Sequence, residues 1–139
     1  MNNEITVNDE VFGLMTYKHR WIKKQDIQFI GNKFSVTIAA KAYSQKPISD
    51  EQRESYNFFI SKEKDILDKA EQSLLVYAKA FEKSIKSEND LKNFVKPKTI
   101  LFNQNGTRTM LLDCSWDEEN GIGIDLNSSF KVDIQDAFL

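Results

Sequence analysis

At 139 residues and 16.1 kDa the chain has the commonest size of one domain, and 40% hydrophobic with 12% aromatic residues disfavours disorder. One cysteine and one histidine exclude an internal disulfide and a structural zinc site, and a net charge of −2 is too mild to make nucleic acid or an anionic membrane the main partner. No apolar run approaches the roughly 20 residues of a bilayer-spanning helix, and the N-terminus has neither a basic start nor an apolar stretch. The expectation is a cytoplasmic protein of one domain, 1–139, with a flexible segment over residues 1–10.

The first third reads as strands. Val11 to Tyr17 is a β-branched and aromatic run, and a second extended stretch follows from Arg20 or Trp21 towards Ile30. Gly31-Asn32 reads as a two-residue turn that pairs Phe29 with Phe34 and Ile27 with Val36. Ile27, Phe29, Phe34, Val36 and Ile38 then share one face, and Gln28, Lys33, Ser35 and Thr37 the other.

The middle is helical. Ser49 and Gln52 form a capping box, and Tyr56, Phe59, Ile66, Ala70, Leu74, Tyr77, Phe81 and Ile85 recur at steps of three and four, with Glu63 the one charged interruption of the stripe. A straight helix from Asp50 to Lys86 would be about 55 Å long, longer than a compact domain of this size is wide, so a bend or break is expected at Ser61 to Lys64. Ser87 with Asp90 caps a short further helix, which Pro97 ends.

The last third returns to strands. Thr99 to Gln104 and Thr107 to Trp116 flank Asn105-Gly106, a register that sets Leu101 against Met110 and Ile100 against Leu111. Ile122, Ile124 and Leu126 alternate with Gly123 and Asp125, and Phe130, Val132 and Ile134 follow a further turn. The fold class is α+β: an antiparallel, meander-like sheet in the order β-β-β-α-β-β-β-β, with one long, bent helix packed on one face.

Charge is uneven along the chain. Residues 1–48 hold 7 Lys and Arg against 4 Asp and Glu, with Lys18, His19, Arg20, Lys23 and Lys24 close together; residues 96–139 hold 4 against 7. Candidate chemistry is sparse. His19 sits among basic residues that disfavour its charged form, and Cys114 shares a strand face with Leu112 and Trp116, as a small buried hydrophobe would. Carboxylates at Asp113, Asp117, Glu118, Glu119 and Asp125 could in principle hold Mg²⁺ or Ca²⁺, but their spacing is not that of an EF-hand. A solvated hairpin turn explains the same residues, so no metal and no cofactor is expected. Nor is there a phosphate-binding glycine loop, an H-E-x-x-H or a G-x-S-x-G elbow.

The string Leu111-Leu112-Asp113-Cys114-Ser115-Trp116-Asp117-Glu118-Glu119-Asn120-Gly121, with Gln135-Asp136-Ala137-Phe138-Leu139 at the end, resembles a bacterial domain-of-unknown-function family. The resemblance extends to Val11 to Gly13, Lys33 to Ile38 and the Asp50-Glu51-Gln52 helix start, and its distinctive part is the Trp-Asp-Glu-Glu-x-Gly hairpin. Where that family commonly carries His, this chain has Asn120. The resemblance implies a small cytoplasmic bacterial protein of a kind found among immunity genes of polymorphic or contact-dependent toxin systems.

Two functions are therefore expected in order. The first is a protein-binding module that neutralises a toxin by covering its active site, which needs no catalytic residues. Its partner-binding residues would be Asp117, Glu118, Glu119 and Asp125, set against a nuclease-like toxin that must itself bind phosphates. The second is a metal-dependent hydrolase working through carboxylates around Asp113 and Asp117.

Overall fold

The structure of the protein, a computed structural model, describes residues 4–139. It is an α+β fold with an eight-stranded, mostly antiparallel sheet and two main helices. The strands lie side by side in chain order: β1 (Thr6–Asp9), β2 (Gly13–Tyr17), β3 (Trp21–Phe29), β4 (Asn32–Ala40), β5 (Val95–Phe102), β6 (Arg108–Cys114), β7 (Ile122–Asp125) and β8 (Val132–Ile134).

Part of the N-terminal segment expected to be flexible is a strand; residues 1–3 of it lie outside the described residues. β1 is fixed by Asp9, whose carboxylate accepts the N–H groups of Val11 and Phe12 at 3.0 Å each and meets the Arg53 guanidinium at 2.8 Å. That turn-closing carboxylate ties the first hairpin to a helix.

The β3–β4 hairpin turns one residue earlier than expected. Phe29 faces Asn32 and Ile27 faces Phe34, leaving Ile30 and Gly31 as the turn, with φ of 45° and 73°. A two-residue turn of this hand needs positive φ at both positions, and glycine fits best at the second, where Gly31 stands. Because the register moves by two, Ile27, Phe29, Phe34, Val36 and Ile38 still share one face. Full burial of Ile30 in the core accompanies its unusual backbone.

The β5–β6 hairpin moves by one. Ile100 faces Met110 and Leu101 faces Thr109, so residues 103–107, not two residues, form the connection. A one-residue slip exchanges the faces of a strand, but here both faces are apolar: Ile100, Leu101, Phe102, Met110, Leu111 and Leu112 are all buried. The hydrophobic pattern could not choose between the registers.

The sheet also departs from the expected all-antiparallel meander at its centre, where β4 and β5 run parallel and pair Ile38 with Ile100 and Ala40 with Phe102. The helical stretch between them is the long crossover that a parallel pair requires. It consists of α1 (Asp50–Ser61), α2 (Glu63–Phe81) and the single-turn α3 (Glu88–Leu91). Ser49 caps α1 through the expected capping box, and the break falls at Lys62, within the stretch where polar residues interrupt the apolar stripe.

Phe59, Ile66, Leu67, Ala70, Leu74 and Ala78 of the helices form one core with Ile38, Ile100, Met110, Leu112, Ile122 and Ile124 of the sheet. α2 stops at Phe81, short of Lys86, and Phe81 is 54% exposed, so the stripe leaves the core there. After β8 a 3-10 turn, Gln135–Phe138, folds back on the sheet. Phe138 lies so close to Gly123 that a Cβ there would meet its ring at 2.6 Å.

Candidate binding face

The residues singled out for partner binding fall into two groups. Asp117, Glu118 and Glu119 lie in the β6–β7 connection, whereas Asp125 ends β7 and opens the β7–β8 connection at the strand's other end. They are not one acidic cluster. Within the first group, Asp117 is occupied locally: its carboxylate accepts from the Asn120 backbone N–H at 3.2 Å and from the Asn120 side-chain amide at 3.1 Å. Glu118 and Glu119 project exposed from the turn.

Asp125 organises its own loop. One carboxylate oxygen accepts from the N–H groups of Ser128 (3.3 Å), Ser129 (2.8 Å) and Phe130 (3.3 Å) and from the Ser129 hydroxyl (2.6 Å). The other accepts from the Asn127 N–H at 3.0 Å. Burial pushes this carboxyl up, but the hydrogen bonds from Ser129 and the backbone of Asn127, Ser129 and Ser128 outweigh it and hold its pKa down at about 2. Its role is to close a loop in which Phe130 takes a positive φ of 53°.

Phe130 is half-buried and borders an apolar groove of about 450 Å³ lined by Gln72, Ser73, Val76 and Tyr77 from α2 and by Phe130 and Val132 from β8 and its approach. Beside it, Phe81 stacks on Trp116 with ring centroids 5.7 Å apart and planes 7° from parallel, and Tyr77 meets Phe81 at 4.8 Å. Val76 is 75% exposed. Asp117 and Asp133 lie close to this surface. Burial pushes the Tyr77 phenol up, and the charges of Asp133 and Asp117 push it further in the same direction. A half-exposed aromatic stack and an apolar groove therefore lie side by side, with Asp117 and Asp133 nearby.

Sequence periodicity assigns Tyr77 and Phe81 to the core and passes over Val76 and Phe130. One signal was present: Val76 is apolar but lies off the helical stripe, on the face where charged residues belong.

Asp113 stands exposed on β6 and meets Lys98 at 3.6 Å. Among the described residues, no three His, Cys, Asp or Glu side chains come together as a group that could hold a metal ion. Cys114 is 2% exposed, and burial pushes its thiol up, opposite to the shift a nucleophile needs. Arg108 is buried, and among the described residues no carboxylate forms an ion pair with it. It donates to the Leu126 carbonyl at 3.1 Å and the Ser55 hydroxyl at 3.1 Å, and stacks over Phe58, joining α1 to the β6–β7 region.

Residues 11–137 match the family described as a domain of unknown function, DUF6985, and the chain belongs to it. No curated protein and no solved structure matches the chain. No helix among the described residues is long and apolar enough to cross a membrane.

Proposed function

We propose that this protein is a protein-binding module of the immunity type, which neutralises a toxin by seating over its active site. The observation that carries this reading is the Tyr77–Phe81–Trp116 stack, with Phe81 more than half exposed, beside the apolar groove and close to the charges of Asp117 and Asp133. An apolar, aromatic centre within a charged rim is the anatomy of a specific protein interface, and large aromatics are its usual anchors. The nearby acidic charges favour a basic partner, such as a nuclease-like toxin whose lysines and arginines serve to bind phosphate. On this reading the protein needs no catalytic group, metal or cofactor, and works in the cytoplasm where such a toxin would act.

The test is association with the product of the adjacent gene. Phe81→Ala and Trp116→Ala should each weaken the complex by about tenfold or more while leaving the circular dichroism spectrum unchanged. Absence of a complex with the unaltered protein, or equal binding by both variants, would overturn the reading.

A further inference from the structure

We propose that the free edge of β8 takes one extended segment of a basic partner protein as a ninth strand, with alternate apolar side chains of that segment entering the groove beside α2. This rests on the protein-binding reading and specifies the mode of recognition.

The backbone pattern opens the edge. Asp125 donates its N–H to the Lys131 carbonyl at 2.9 Å, one half of a hydrogen-bonded pair at the end of the β7–β8 ladder; the Lys131 N–H goes instead to the Ser129 hydroxyl at 3.2 Å. Such pairs alternate in an antiparallel ladder. With Gly123 opposite Asp133 and Ile124 opposite Val132, the Lys131 carbonyl and the backbone groups of Asp133 point to β7, and those of Val132 and Ile134 point away from it. The Ile134 N–H is occupied by the Asp133 carboxylate at 2.8 Å and its carbonyl begins the 3-10 turn Gln135–Phe138, which leaves the Val132 N–H and carbonyl facing outward. Strand order confirms that β8 ends the sheet on this side.

The side chains fit the same reading. Val132 and Ile134 lie opposite Ile124 and Ile122, on the face that packs against the helices. Val132 and Phe130 form one wall of the groove, and Val76 and Tyr77 of α2 form the other. A strand laid along β8 would place every second side chain at this opening. Its remaining side chains would lie near Asp133 and the acidic β6–β7 turn, which suits lysine or arginine. An unprotected edge is normally blunted by charge, and here the Lys131–Asp133 pair, 3.5 Å apart and exposed, is the device available; a basic strand can exchange with Lys131 for Asp133.

The probe is a synthetic heptapeptide of alternating lysine and valine, titrated into the isotope-labelled full chain and followed by amide chemical shifts. The expected result is a set of shifts centred on Val132, Ile134, Val76 and Tyr77, with the Val132 amide protected from solvent exchange. The fully N-methylated peptide, which keeps charge and side chains but cannot pair, should bind at least about tenfold more weakly. Val132→Pro should have the same effect without unfolding the protein, because proline is tolerated where an edge N–H faces outward. No shifts at millimolar peptide, shifts confined to other elements, or equal binding of the N-methylated peptide would overturn the proposal. So would concentration-dependent shifts of β8 without peptide, which would assign the edge to a second copy of the chain. If the adjacent-gene product bound the unaltered protein and Val132→Pro equally well, the ninth strand would fail and the binding-module reading would stand.

Discussion

A single carboxylate can be a structural part and still set the shape of a binding face, and Asp125 does both. It gathers the N–H groups of residues 127–130 and holds Phe130 at positive φ beside the groove. Its folded pKa of about 2 lies below the unfolded value, so the stability it contributes is full above about pH 4 and is lost as the pH falls towards 2. Asp125→Asn should therefore lower the urea midpoint at pH 5 more than at pH 2.5, narrowing the gap between the two. An unchanged gap would mean that the loop does not depend on the charge. Cys114 gives a second expectation at this scale. Its thiol is buried and its titration pushed up, so a thiol reagent at neutral pH should label the native protein far more slowly than the urea-unfolded chain. Equal rates would place Cys114 at the surface.

Among the elements, α2 changes role along its length. Leu74 is fully buried, and Leu74→Ala should cost about 2–5 kcal/mol in denaturant unfolding. Phe81, two turns on and more than half exposed, should cost about 1 kcal/mol or less when cut to alanine, since its loss removes surface contacts with Trp116 and Tyr77 and no buried core volume. Similar losses at both positions would return Phe81 to the core. Periodicity could not separate these residues, because it reports which side of a helix a residue occupies and not where the sheet beneath it ends. The same limit explains which strands were legible. β3 and β4 alternate cleanly, so a turn shifted by one residue leaves their faces unchanged; β5 and β6 are apolar on both faces, so their hydrophobic pattern is compatible with either register. The capping box at Ser49 and the break near Lys62 were legible because each is a local signal. The parallel β4–β5 contact was not, since it depends on where a long crossover delivers the chain. For the binding face, the acidic turn was visible in the sequence, but the aromatic stack beside it joins Phe81 to Trp116 across 35 positions and exists only once the chain has folded.

Across the whole molecule the charge is polarised, with residues 96–139 holding four basic groups against seven acidic ones. Two of those acidic groups are committed within the fold, Asp117 to Asn120 and Asp125 to its loop, whereas Glu118 and Glu119 project freely from the β6–β7 turn. Long-range attraction depends on the sum of charges near the interface, so it governs the rate of encounter, while the aromatic stack and groove govern how long the complex lasts. Replacing Asp117, Glu118 and Glu119 by lysine together should slow association with a basic partner by roughly tenfold or more at low salt and flatten its salt dependence. Because Asp117 also braces the turn, a second variant carrying only Glu118→Lys and Glu119→Lys separates the two effects: it should keep the thermal midpoint of the unaltered protein and still show the slower, salt-insensitive association. Phe81→Ala should do the reverse, leaving the association rate nearly unchanged and raising the dissociation rate. Association kinetics untouched by the double reversal would move the electrostatic contact away from this turn, to the basic Lys18 to Lys24 edge or the outer face of α2.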